Sequence, residues 1–409
     1  MAYQFVGIGQ AGCSILDSVF TFKNIRLIGT PTAINSTAKD LATLKEVKKN
    51  SWLGISTEQG IIKGGEKGKV FEEQVTGGFG KDPVRCSEVL EEHYDALLNA
   101  LHERQRSGGE AESGKRRLGK KGEAEDGGGP STVEETHVPF AMLFLSFGGG
   151  TGCGAAPYVA RALKELSHGS VRIIVVGVLP AADQMLEAWN TRYGIQKLKE
   201  YADSFILVDN QRIAYRADYE ALYPQYNDYV ATSIADLTAG VLLEKIDPSQ
   251  YEINPPVIDM NDVITATSLD GEPCFATLGR TGVLSRSLPS YFLPVGGYKE
   301  IDTLSLCRLA VEKLTVTNVD LTRTLKNLAL LKVPIYYLRK EGRLEVKQVE
   351  DFMLERSGLG ESHLGISLTK RNVVSLITLF THRYDELSRL REINQLAEEY
   401  ERRGGRSSS

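Results

Sequence analysis

The sequence is short of most features that assign a protein quickly. Its five cysteines (Cys13, Cys86, Cys153, Cys274 and Cys307) include no CxxC pair. An odd, scattered set argues against a disulfide framework and a zinc site, and predicts free thiols in a reducing cytoplasm. The six histidines are dispersed, with neither HExxH nor HxH, so no metalloenzyme signature is present. No apolar run approaches the ~20 residues that a bilayer-spanning helix needs. The opening MAYQFVGIG has no basic flank and no small-residue cleavage site, so no signal peptide is expected. Charge of neither sign dominates: 48 basic against 53 acidic side chains leave a net of −5. That balance gives no global reason to bind nucleic acid or an acidic membrane surface. A GxxxxGK[ST] motif is also missing, which excludes a Walker-type phosphate loop.

Glycine, by contrast, is plentiful: 40 of 409 residues, against a usual share of about 7%. The length predicts two or three domains. In the first half, nearly continuous apolar runs (Tyr3 to Ile8, Arg26 to Ile34, Phe140 to Phe147, Val171 to Val178, Phe205 to Val208) read as strands buried on both faces. Helical patterns lie between them: Gly12 to Phe20, Lys39 to Lys48, Ser87 to Glu103, Ala155 to Leu166 and Met185 to Tyr201. Repeated strand-helix units imply an α/β fold with a doubly wound parallel sheet, whose strand-end loops share one ligand-binding edge. A long helical pattern follows over roughly Tyr219 to Lys245. The texture then changes to a second, smaller α/β domain. Its strands are expected at Cys274 to Leu278, Val333 to Arg339 and Val373 to Leu379, and its helices at Leu304 to Leu314, Val346 to Glu355 and Tyr384 to Arg403. The expected divisions are 1–218, a central helix 219–246, 247–383, and a terminal helix and tail 384–409. Residues 104–136 carry no aromatic side chain and eight glycines, and read as a disordered surface insertion with a basic patch at Lys115 to Lys121.

Three glycine clusters remain. Gly7-Ile8-Gly9-Gln10-Ala11-Gly12 lies between a strand and a helix, where backbone N–H groups and the helix dipole bind anions. A dinucleotide site would add an acid about 20 residues on, but the second strand ends in Asn35-Ser36. Gly148-Gly149-Gly150-Thr151-Gly152-Cys153-Gly154 follows another strand and opens another helix. Two glycine loops at neighbouring strand ends suggest a polyphosphate gripped from two sides. Gly77-Gly78-Phe79-Gly80-Lys81-Asp82-Pro83 precedes a third helix and offers a loop to close on a terminal phosphate; Lys81 either reaches that phosphate or points to solvent. GGEKGK, from Gly64, reads as a hairpin turn.

GGGTGCG resembles the GGGTGxG signature of the tubulin/FtsZ superfamily. The resemblance runs from Tyr3 to at least Val263, and is nearer to tubulin and the archaeal CetZ branch than to bacterial FtsZ. It rests on Gly9-Gln10-Ala11-Gly12, Leu186-Glu187-Ala188-Trp189-Asn190, Val208-Asp209-Asn210, and the pair Tyr223 and Asn227. The resemblance implies binding of GTP and GDP by Gly9, Gln10, Ala11, Gly12, Cys13, Asn35, Gly78, Gly80, Gly148, Gly149, Gly150, Thr151 and Gly152. It assigns the ribose to Glu187, and guanine to Asn210, Tyr223 and Asn227. Magnesium is expected on phosphates and water, with no protein ligand. The segment Val257 to Val263 resembles the loop that completes the next subunit's site, which makes Asp259 and Asp262 the catalytic candidates. Val257 departs from the asparagine of FtsZ, and the two aspartates also suit a plain helix cap.

The reading is therefore a cytoplasmic GTPase that assembles head to tail with itself into dynamic filaments. The terminal segment lacks an FtsZ-type adaptor peptide, which favours a role in cell shape. A membrane-associated or cytoskeletal partner is left unidentified, and nucleic acid is not expected. The alternatives are a non-hydrolysing GTP-binding scaffold or regulator of another filament, an FtsZ-like division protein, and a NAD-dependent oxidoreductase. The last leaves GGGTGCG unexplained.

Overall fold

In a computed structural model, the described residues are 3–65, 68–118, 139–214, 219–239, 256–269, 272–286, 298–339 and 344–406. Eleven of their strands form one sheet. From the first half come β1 (Tyr3–Ile8), β2 (Gly29–Asn35), β3 (Trp52–Ser56), β4 (Gly60–Lys63), β5 (Phe140–Ser146), β6 (Arg172–Leu179) and β7 (Ser204–Asp209). From the second come β8 (Phe275–Leu284), β9 (Lys326–Pro334), β10 (Glu361–Thr369) and β11 (Val373–His382). Their spatial order is β10-β9-β11-β8-β7-β6-β5-β1-β2-β3-β4. From β3 to β7 all neighbours are parallel. β4 closes one edge as an antiparallel hairpin with β3. Strand order runs outward from β1 in one direction and from β5 in the other, so the β1/β5 boundary is the topological switch point, where open α/β sheets bind ligands.

Alternation along the strands divides the core between two faces. Phe5, Phe144, Val176 and Ile206 pack with Leu16 of α1 (Gly9–Val19) on one face. Val6, Leu143, Val175 and Leu207 pack on the other face. There they meet α2 (Pro83–Glu92), α3 (Tyr94–Leu118), α4 (Gly150–Leu166) and α5 (Met185–Leu198). The first face also carries α6 (Tyr223–Ala239) and α7 (Met260–Thr267). A third cluster sets α8 (Thr303–Glu312) and α9 (Val346–Leu354) on β9 and β11. The terminal helix α10 (Ser388–Arg402) returns to α5, where Trp189 Nε1 donates to Glu401 at 3.0 Å.

The five strands expected in the first half are present, with β2 beginning only at Gly29. Several boundaries differ. Helix is confined to Ala38–Leu41 within the expected 39–48 segment. The rest is a turn, because the Asp17 carboxylate accepts from the amides of Lys45, Glu46 and Val47. In place of a strand over 333–339, β9 ends at Pro334 and a short helix Ile335–Arg339 follows. β3 and β4 are joined through 57–59, ahead of GGEKGK, whose residues 66 and 67 lie outside the described residues. The expected insertion begins as helix rather than loop, since α3 continues to Leu118; four arginines and two glutamates favour helix there, against three glycines. Residues 119–138 lie outside the described residues. So do 240–246 of the expected central helix, which is described as a 3-10 turn at Tyr219–Leu222 followed by α6.

Candidate nucleotide site

The three glycine loops converge at the switch point. An ideal Cβ on Gly9 would lie 3.2 Å from Gly152 N, so the first and second loops touch there. One on Gly150 would lie 2.6 Å from Asp82 N, so the third loop lies against the second. Gly7 and Gly12 have a different reason to be glycine. Their Cβ atoms would strike Gly12 O at 2.7 Å and Phe144 O at 2.0 Å, so they are required by helix-to-strand packing rather than by approach to phosphate. Gly152 likewise packs on Ser146 O. Gly149, Gly77, Gly78 and Gly80 face open space instead, with no neighbour nearer than 3.6 Å to a Cβ.

Both helices at this point start without a side-chain cap. Ile8 precedes α1 and Gly149 precedes α4, and neither supplies an acceptor. The first-turn N–H groups of two helices therefore face the converging loops without an acidic residue in either first turn. Three other helices take an aspartate cap, Asp82 for α2, Asp259 for α7 and Asp302 for α8, while α5, α9 and α10 also start without a side-chain cap. Uncapped, dipole-positive ends beside glycine loops form an anion cradle.

The other candidate residues distribute around it. Gln10 is exposed and Ala11 half-buried in the first turn of α1. Cys13 is fully buried, and its thiol donates to the Gly7 and Ile34 carbonyls. Burial pushes this thiol far up, so it is a neutral packing group. Asn35 is also buried: its Oδ1 accepts from Ser36 N at 2.8 Å, and its Nδ2 donates to Asp40. Thr151 Oγ1 shares a 2.7 Å hydrogen bond with Ser36 Oγ, joining the second loop to the end of β2. Glu187, in the first turn of α5, ion-pairs with Lys81 at 2.5 Å. Asn210 follows β7, opening a 3-10 turn capped by Asp209. Tyr223 and Asn227 sit one turn apart, both half-buried, at the start of α6. That start is tied to the β7 end by Tyr226, whose hydroxyl donates to Asp209 O at 3.3 Å. Tyr226 and Tyr229, on the same helix, stack with ring centroids 6.2 Å apart.

Three supporting groups escaped the sequence reading. Asn190 is fully buried and donates to Lys81 O and Gly148 O, both at 3.0 Å, which clips the third loop to the second. Ser36 is the second. The third is the buried pair Asp209 and Arg389, 3.3 Å apart, with Arg389 also donating to Pro180 O. Burial raises the Asp209 carboxyl pKa, and Arg389 opposes that shift. A polar residue mid-helix was the available signal for Asn190, but periodicity does not say which loop it meets.

Asp259 and Asp262 are not at this site. They stand at the N-terminus of α7 in a reciprocal capping box: Asp259 Oδ1 accepts from the Asn261 and Asp262 amides, and Asp262 Oδ2 accepts from Asp259 N. The Asp259 charge raises the pKa of Tyr3, at the first residue of β1, after burial. Asp262 lies 4.0 Å from His363, near the start of β10. Both markers belong to the edge where strands begin, whereas the cradle lies where β1 and β5 end. A six-residue strand separates those edges by about 17 Å.

The sequence model described as "Tubulin/FtsZ family, GTPase domain" matches residues 3–218, just over half of the chain. The tubulin-like protein CetZ of Pyrococcus abyssi is 26% identical over 238 residues. That match covers 57% of this chain and 52% of the relative, so the chain spans about half the length of that curated relative. Among solved structures, CetZ from Methanosaeta thermophila superposes with a TM-score of 0.67 at 19% identity, covering 99% of this chain and 93% of that one. CetZ2 from Haloferax volcanii, a GTPγS-bound protofilament, superposes with a TM-score of 0.66 at 20% identity and 99% coverage of both. These similarities establish a shared fold.

Proposed function

The chain belongs to the tubulin/FtsZ family, and from that membership we propose that it binds GTP and GDP and hydrolyses GTP within a head-to-tail filament of its own copies. The observation that carries this reading is the separation of cradle and acids on opposite edges of the sheet. Asp259 cannot reach a phosphate held at Gly149 of its own subunit. In a head-to-tail stack, the acidic edge of one subunit faces the cradle of the next. The phosphates would rest on the first-turn amides of α1 and α4, the ribose on Glu187, and guanine against Asn210, Tyr223 and Asn227. Asp259 and Asp262 from the neighbour would then orient the attacking water, since phosphoryl transfer is dominated by positioning and charge stabilisation.

Among the described residues, no three His, Cys, Asp or Glu side chains converge on a point. A bound ion would sit on phosphate oxygens and water, where it neutralises developing charge. No helix of the described residues is long and apolar enough to cross a membrane. A cytoplasmic filament acting in cell shape is the role we propose, and any membrane-associated or cytoskeletal partner would bind that filament. A GTP-binding scaffold without hydrolysis is the second reading, favoured by the capping box that already engages both aspartates. Sedimentation tests the assembly: the protein is expected to pellet with GTP and not with GDP. Equal pelleting with both nucleotides would sink nucleotide-controlled assembly. Phosphate release measured alongside separates the GTPase from the scaffold.

A further inference from the structure

The third loop holds a residue that its backbone does not favour. Gly77, Gly78 and Gly80 have φ of +83°, +109° and +57°, and Lys81 follows at +60°. Glycine adopts this left-handed region freely, whereas a lysine there is strained. The loop is also fixed. Lys81 O accepts from buried Asn190, and the Lys81 carbonyl carbon lies 3.0 Å from the Cβ position of Gly150, the first residue of α4. Its side chain is therefore delivered beside an uncapped helix start.

There the ammonium meets a carboxylate. Lys81 Nζ lies 2.5 Å from Glu187 Oε1. Glu187 is largely buried, and its Cβ and Cγ stand 3.3 Å from the Cβ position of Gly148. The ion pair thus lies across the glycine signature. A nucleotide entering the cradle brings several negative charges to a point already occupied by a carboxylate. Lys81 can follow the stronger anion, because phosphate oxygens are excellent acceptors from an ammonium.

We propose that Lys81 is a phosphate ligand held in reserve by Glu187, and that nucleotide entry exchanges one anion for the other on the same ammonium. The exchange leaves Glu187 unpaired and able to accept from a ribose hydroxyl. It rests on the guanine-nucleotide reading for the sugar contact, but the lysine's partner is phosphate, whatever the base.

The test uses pyrophosphate, which has neither sugar nor base, together with GTPγS, both titrated by calorimetry on the full chain. Lys81→Gln is expected to weaken pyrophosphate roughly tenfold or more, the usual scale of a hydrogen bond between charged groups. Lys81→Arg should retain most of the affinity. Glu187→Gln should tighten pyrophosphate several-fold, and that gain should vanish in the Lys81→Gln background. Thermal melts of each variant check that the fold is kept, which the exposed Lys81 side chain favours. Unchanged pyrophosphate affinity in Lys81→Gln overturns the proposal. So does a Glu187→Gln gain that persists without Lys81, which would mean simple charge removal. If pyrophosphate behaves as expected but GTPγS does not bind, the phosphate ligand stands and the GTP reading falls.

Discussion

At the scale of single residues, Asn190 shows how one buried amide holds a binding site. Its two protons go to carbonyls on separate loops, Lys81 O and Gly148 O. Asn190→Ala removes both donors in a buried setting, so a loss of about 2–3 kcal/mol is expected from the stranded acceptors and the vacated volume. The third loop would then be released from the second. GTPγS affinity should fall at least tenfold, at a temperature well below the lowered melting point. Unaltered affinity in a folded variant would show that the clip does not shape the site. The sequence displays Asn190 plainly, within Leu186-Glu187-Ala188-Trp189-Asn190, yet gives no hint that its partner is a carbonyl 109 positions away. Cys13 shows the converse. Its place near the start of α1 suggests a binding role, and the thiol itself points inward, donating to Gly7 O, which leaves only the backbone of this residue for a ligand.

Elements were more legible than their contacts. β1 was readable to the residue, and β5 to β7 to within a residue or two, because parallel strands covered on both faces leave continuous apolar runs. The 39–48 segment failed because a distant carboxylate, Asp17, outbid the helix for its amides. α7 poses the sharper question, since its cap and the proposed catalytic acids are the same residues. Asparagine caps about as well as aspartate, whereas alanine costs about 1 kcal/mol. Asp259→Asn should therefore melt within a few tenths of a kcal/mol of the wild type, and Asp259→Ala measurably lower. Only the charge distinguishes Asn from Asp, so slowed phosphate release in both variants, with GTPγS binding intact, is the result expected of a catalytic acid. Full turnover by Asp259→Asn would reduce this residue to a helix cap.

On the scale of the whole molecule, the two halves are continuous rather than merely adjacent. β8 joins β7 in parallel over Phe275–Thr277, and α10 returns to set Arg389 against Asp209. One sheet thus carries the cradle on one edge and the acidic cap on the other. The sequence showed both motifs but not that they face opposite ways, since that depends on strand direction and on β10 starting beside Asp262. The arrangement predicts complementation between two defective proteins. Gly149 has ordinary backbone angles (φ −89°, ψ 159°) and no atom nearer than 3.9 Å to a Cβ, so Gly149→Asp should fold. Its carboxylate would cap α4 and repel phosphate, leaving the acidic edge intact. Asp259→Asn has the reverse defect. In a mixture, the acids of the Gly149→Asp protein can meet the cradle of the Asp259→Asn protein. Phosphate release from the mixture should exceed the sum of the two proteins alone, most clearly near equal proportions, and should rise more steeply than linearly with total concentration. A purely additive rate would place hydrolysis within one subunit, and the separation of the two edges would then need another explanation.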